Sequence, residues 1–206
     1  MNSFIALSLA GCLLLVTVSP AASVSVTLHN SSDAPLEDAV VIFDPLDAAI
    51  APAHATAIVD QINKRFVPRV SVVQTGTAIN FPNSDHIRHQ VYSFSPAKIF
   101  NLKLYAGSPN TQILFDSAGL VVLGCNIHDT MVGFIGVVDT PYFAKTSSSG
   151  TVALYLPAGK YHLRLWHAGL AQDFPARTLQ ITNAAQSLSF KLAIAYDSAA
   201  PAAWPE

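Results

Sequence analysis

Gly124-Cys125-Asn126-Ile127-His128-Asp129-Thr130-Met131-Val132-Gly133 places a thiol, an imidazole and a thioether within seven residues. Valine-rich runs flank it, Leu120 to Leu123 before and Val132 to Val138 after. Apolar runs of that length on either side of a short polar stretch predict two buried strands joined by a tight loop. Soft sulfur with imidazole suits copper above other metals, and a second His would complete a trigonal site with a long axial Met. The upstream stretch Phe81-Pro82-Asn83-Ser84-Asp85-His86-Ile87-Arg88-His89-Gln90-Val91 offers that second His.

The rest of the chain agrees with an all-β protein. It has 206 residues, 13 Pro, 10 Gly and many short Val-rich runs, the pattern of strands broken by turns. Only 12% of residues are charged and the net charge is −2, so no basic face for nucleic acid is implied. Part of the apolar excess lies at the N-terminus. Phe4 to Val18 is almost wholly apolar and runs into Pro20-Ala21-Ala22-Ser23, which reads as a secretory signal over residues 1–22, although the n-region carries no Lys or Arg. A membrane span needs about 20 apolar residues, so none is expected once the signal is removed. Leu9-Ala10-Gly11-Cys12 has the form of a lipoprotein cleavage box, but cleavage there would cut the apolar run in half.

Removal of the signal takes Cys12 with it and leaves Cys125 as the one thiol of an exported, periplasmic or secreted chain. A single thiol in an oxidising compartment has no internal disulfide partner. It is a buried inert Cys, a reactive thiol or a metal ligand.

Strands are expected at Val24–Leu28, Ala39–Phe43, from Pro68 to Phe81, at Val91–Phe94, Phe100–Tyr105 and Gln112–Phe115, and on both sides of the Cys loop. Further strands follow at Thr151–Leu156, Tyr161–Trp166, Leu179–Ile181 and Leu188–Leu192. A short helical turn is expected between Ala57 and Phe66, from Ile58 and Ile62 four apart. Residues 196–206 read as a disordered tail. About a dozen short strands fit two packed β-sandwiches.

Cys125, His128 and Met131 are two residues apart in turn, so a tight loop can turn all three to one point. His89, directly before an apolar strand, is the preferred fourth member, with His86 as its alternative. Zinc is the next metal, but structural zinc takes four Cys or His ligands and only one Cys is present. A Cys–His nucleophile pair leaves Met131 unexplained. His29, His54, His162 and His167 read as surface or turn residues.

His89-Gln90-Val91 with Cys125-x-x-His128-x-x-Met131-x-Gly133 resembles the blue-copper cupredoxins of plastocyanin and amicyanin type. The wider run, from Phe66-Val67-Pro68 to Asp139-Thr140-Pro141-Tyr142-Phe143, resembles the cupredoxin-like methylamine utilization proteins. The resemblance implies a Greek-key sandwich over residues 57–139 holding one mononuclear type 1 copper. It implies His89, Cys125 and His128 as equatorial ligands and Met131 as axial ligand. Gln90 stands where many of that family have Asn, and Ile127 where the small blue proteins often have Pro. Residues 24–45 and 140–195, with Leu156-Pro157-Ala158-Gly159-Lys160-Tyr161, resemble carboxypeptidase regulatory-like, transthyretin-like sandwiches. This second sandwich is expected to be interrupted by the first. The function expected is one-electron transfer to and from a redox partner protein, without enzymatic activity. Copper carriage without a redox role, and a structural interaction protein with a stabilising metal, are the alternatives.

Overall fold

The structure is a computed structural model that describes residues 21–172 and 174–195. The signal expected over residues 1–22 and the tail at 196–206 fall almost wholly outside the described residues. The described residues form strands and no helix, so no helix among them is long and apolar enough to cross a membrane. The chain begins with β1 (Ala22–Asn30) and β2 (Val40–Pro45). It continues through β3 (Thr56–Ile58), β4 (Asp60–Gln61), β5 (Phe66–Val67), β6 (Val70–Gln74), β7 (Thr77–Asn80), β8 (His89–Ser95) and β9 (Lys98–Tyr105). Next come β10 (Ile113–Phe115), β11 (Gly119–Leu123), β12 (Gly133–Val138), β13 (Phe143–Lys145) and β14 (Thr151–Leu156). The last three are β15 (Gly159–Trp166), β16 (Arg177–Ile181) and β17 (Gln186–Leu192).

Both ends of the chain build one sandwich. Its sheets run β14-β1-β17 and β13-β2-β15-β16. Strand β1 alternates strictly, with Val24, Val26 and Leu28 buried and Ser25, Thr27 and His29 half-buried, because successive side chains leave opposite faces of a pleated strand. These residues meet Val41, Phe43, Leu163 and Leu165 in one core. Strand β2 pairs with β13 and β15 and with no strand from β3 to β12.

The segment between β2 and β13 folds around its own core, which includes Phe66, Ile79, Phe81, Val91, Phe115, Val121, Leu123, Cys125 and Ile135. Strands β11-β12-β6 form one sheet and β10-β7-β3 another. The β8–β9 hairpin is tied to the end of β11 by reciprocal amide bonds between Tyr92 and Gly124, 3.1 and 3.0 Å.

Two strands are buried on both faces, β2 over Val40–Phe43 and β12 over its whole length. Val41 and Phe43 fill the first core and Ile135 and Val137 the second. Their opposite faces present Val40, Ile42, Phe134 and Val138 to a third cluster with Val70 and Trp166. Phe134 and Trp166 meet edge to face at 5.8 Å, a favourable aromatic arrangement. The two sandwiches are therefore packed against each other through an apolar seam. That seam accounts for the unbroken apolar runs in the sequence.

The helical turn expected between Ala57 and Phe66 is a β-hairpin instead. Asp60 and Gln61 pair with Val67 and Phe66, and Ile62 and Arg65 exchange both backbone hydrogen bonds. Asn63 and Lys64 at its tip have φ of 52° and 59°, the two left-handed residues of a hairpin turn. Ile58 and Ile62 are exposed, so their spacing of four marks no buried helical face.

Candidate metal centre

His89 opens β8, and Cys125, His128 and Met131 lie in the loop joining β11 to β12. That loop is bracketed by two close approaches. A Cβ on Gly133 would stand 2.9 Å from the Cβ of buried Phe66, and one on Gly124 would stand 2.6 Å from the Tyr92 ring. Inside the loop, the Met131 amide donates to the His128 carbonyl, which closes one tight turn. A second tie reaches the tip: Asn126 Nδ2 donates to Gln90 Oε1 at 2.9 Å, and Gln90 Nε2 donates to Asn101 Oδ1 at 2.7 Å. The amide at position 90 thus pins the Cys loop to β8 and β9, although Gln stands there in place of Asn.

The side chains of His89, Cys125 and His128 converge, with their ligand atoms all within 4.8 Å of one another. Cys125 Sγ lies 3.9 Å from His89 Nδ1, and the two imidazole centroids are 5.1 Å apart. Three donors bound at about 2.0–2.3 Å around one ion stand roughly 3.5–4 Å apart in a trigonal plane, so the group accepts a metal with side-chain movements of under about an ångström. His89 is 0% and Cys125 3% exposed, while His128 is half-buried. The Nδ1 of His128 is buried with no hydrogen-bond partner. Buried polar atoms are nearly always satisfied, and a metal ion held among the three converging donors would satisfy this one. Met131 is buried in the same apolar cluster as Cys125. His86 is exposed and outside the group.

The donor set therefore fits copper: one thiol and two imidazoles with no carboxylate in the group, and a thioether buried in the same apolar cluster as the thiol. Zinc fits less well, because among the described residues no fourth His or Cys joins the group.

Asp85 was not singled out by the sequence. Its Oδ2 lies 2.7 Å from His89 Nε2, so Nε2 carries the proton and Nδ1 is left to bind a metal. The same carboxylate accepts the backbone amides of Asn63 at 2.6 Å and Lys64 at 2.9 Å. Burial works against its charge, but those two amides and the His89 ring outweigh it and hold the carboxyl below its ordinary value. Tyr105, opposite His89 in the β8–β9 ladder, donates to the Phe81 carbonyl. Burial pushes its phenol up to about 12; the Gln61 hydrogen bond opposes this, and the charges of Asp60 and Cys125 add to it. The phenol is therefore neutral at ordinary pH. Of the histidines set aside in the sequence, His54 and His162 are exposed. His167 is half-buried rather than solvated, with Nδ1 accepting the Gly169 amide at 3.0 Å.

No family model and no curated protein matches the chain. Solved structures similar to part of it include a copper-containing nitrite reductase from Thermus scotoductus SA-01, 22% identical over 47% of this chain and 26% of that one, with a TM-score of 0.39. A purple cupredoxin from Nitrosopumilus maritimus is 22% identical over 40% of this chain and 98% of that one, with a TM-score of 0.35. Pseudoazurin from Methylobacterium extorquens AM1 is 21% identical over 41% of this chain and 76% of that one, also at 0.35. The present chain thus spans about a quarter of the length of the nitrite reductase. Each likeness covers less than half of this chain, and the function proposed below stands on the geometry of the site.

Proposed function

We propose that this protein is an exported cupredoxin-like carrier of single electrons, with one copper held by His89, Cys125, His128 and Met131. The observation that carries this reading is the convergence of two imidazoles and the chain's one described cysteine on a point inside a sandwich core. A copper ion there supplies exchange of one electron between its cuprous and cupric states. The protein's share is to keep the donors still. Cys125 is held in the core, His89 is fixed in one tautomer by Asp85, and the Gln90–Asn126 tie holds the loop. A cage that changes little between two charge states lets electrons pass with little rearrangement. His128 is the ligand that reaches the surface, beside the exposed Ile127, and is the port for the electron. No enzymatic activity is part of this reading.

Carriage of copper for delivery fits less well, because two of the three converging ligands are almost fully buried and release would require the loop to open. The reading is tested by titrating the apoprotein with copper and following with voltammetry. Binding of one equivalent and a reversible one-electron wave are expected. Binding without a reversible wave would move the assignment to carriage or to a structural metal.

A further inference from the structure

The tip of the β4–β5 hairpin ends on the carboxylate that stands behind the metal group. Asn63 and Lys64 both take left-handed backbone angles, φ 52° and 59°, and successive amides in a turn of this kind form a concavity suited to an anion. Asp85 fills it. The Asn63 amide donates to Oδ1 at 2.6 Å and the Lys64 amide donates to Oδ2 at 2.9 Å. Oδ2 also takes the Nε2 proton of His89, at 2.7 Å. One oxygen is therefore shared between a hairpin amide and the imidazole of a metal ligand.

The hairpin has other anchors. Gln61 is fully buried; its amide and its Nε2 both donate to the Pro82 carbonyl, at 3.1 and 3.0 Å, and its carbonyl accepts the Ser84 amide at 3.1 Å. Asp60 Oδ2 accepts the Ser84 hydroxyl at 2.8 Å. Asp85 is held in turn through its own amide, which donates to Oδ1 of buried Asn83 at 3.1 Å. Both partners keep these anchors without the tip bonds, so the effect of the tip falls on the charge of the carboxylate.

We infer that the Asn63–Lys64 turn sets the strength of the Asp85–His89 bond and, through it, the reduction potential of the copper site. The inference rests on the reading that His89 holds copper. A carboxylate with fewer donors is a stronger acceptor. It draws the Nε2 proton further and makes Nδ1 a more basic ligand. The more basic ligand favours the cupric state, so loss of the tip amides should lower the potential. Loss of the carboxylate itself acts in the opposite direction.

The test compares two variants of the turn. Both side chains are exposed, so substitution touches no core. Asn63→Val with Lys64→Val drives the turn out of a left-handed conformation that β-branched residues strongly disfavour. Asn63→Gly with Lys64→Gly removes the same side chains and the same lysine charge but leaves that conformation open. In the apoprotein, proton NMR should place the His89 Nε2 proton further downfield in the Val pair than in the Gly pair. With copper bound, voltammetry should give the Val pair the lower potential. The expected change in cupric-over-cuprous preference is about three- to tenfold, roughly 30–60 mV at about 59 mV per tenfold. Lys64→Val against Lys64→Gly repeats the comparison with a milder change, at the one amide that shares Oδ2 with His89, and should show the same sign. In an Asp85→Asn background the Val and Gly pairs should have equal potentials. Equal potentials with Asp85 in place would overturn the inference. A higher potential in the Val pair would also overturn it, and would show that the hairpin only holds the carboxylate in position. A wild type that binds no copper would overturn the copper reading and the control of potential with it. The apoprotein proton shifts separate that failure from a failure of the hairpin contact.

Discussion

Asp85 Oδ2 stands 2.7 Å from Nε2 of the fully buried His89, and through the same carboxylate the imidazole is joined to the tip of the β4–β5 hairpin. A carboxylate behind a metal-binding imidazole fixes its tautomer and raises its basicity. The more basic ligand favours the more highly charged metal state. Asp85→Asn should therefore raise the reduction potential of the copper site and lower its copper affinity about 10- to 100-fold. Voltammetry and competition with a chelator of known affinity measure both. An unchanged potential would mean that the carboxylate serves the hairpin alone.

Gly133 lies where β12 passes the base of Phe66, with 2.9 Å available to a Cβ. Phe66 is buried and its Cβ sits too near the backbone to swing away. Gly133→Ala should cost about 1–3 kcal/mol in urea denaturation, the usual range for overpacking. Gly124→Ala should cost less, because the group it meets is the far end of the Tyr92 ring, which can turn aside. Equal losses would contradict this account of the loop's two ends.

Trp166 is buried in the seam between the sandwiches, against Phe134. Trp166→Ala should cost about 3–5 kcal/mol. Because the seam joins both cores, the loss should appear in the unfolding of each sandwich, followed by hydrogen exchange in β1 and in β11. Loss confined to the strands of one sandwich would show that the seam contributes little.

His167 supplies a pH dependence remote from the metal ligands. Burial lowers its pKa from 6.5; Asp38 and the bond to the Glu37 backbone oppose this, and Arg69 adds to it. The unfolded chain takes up a proton at this residue as pH falls through about 6.5, and the folded chain resists it. The stabilising contribution is present above about 6.5 and is lost as pH falls below that value. Denaturation midpoints at about pH 7.5 and pH 5 should differ less in His167→Gln than in the wild type. Equal differences would contradict burial of the imidazole.

Much of the site was legible in the sequence because three ligand types crowd into one short loop between apolar runs. His89 was legible from its place at the start of a strand. Asp85 was not, since its role depends on a hairpin that brings Asn63 and Lys64 to it from over twenty residues away in the chain. The hairpin itself was hidden by Ile58 and Ile62, whose spacing imitates a helix and whose side chains are exposed. The runs Ala39–Phe43 and Val132–Val138 announced buried strands. An apolar run does not say what covers its second face, so the seam and the place of Trp166 in it emerged only from the fold.

Whether His89, Cys125 and His128 hold copper through a thiolate bond is read from the optical and EPR spectra of the copper-loaded protein. An intense band near about 600 nm, with the small copper hyperfine splitting of a covalent thiolate site, is predicted for a trigonal His₂Cys centre, and Cys125→Ser should abolish both. A colourless cupric complex with an ordinary tetragonal EPR spectrum, unchanged by Cys125→Ser, would contradict the account.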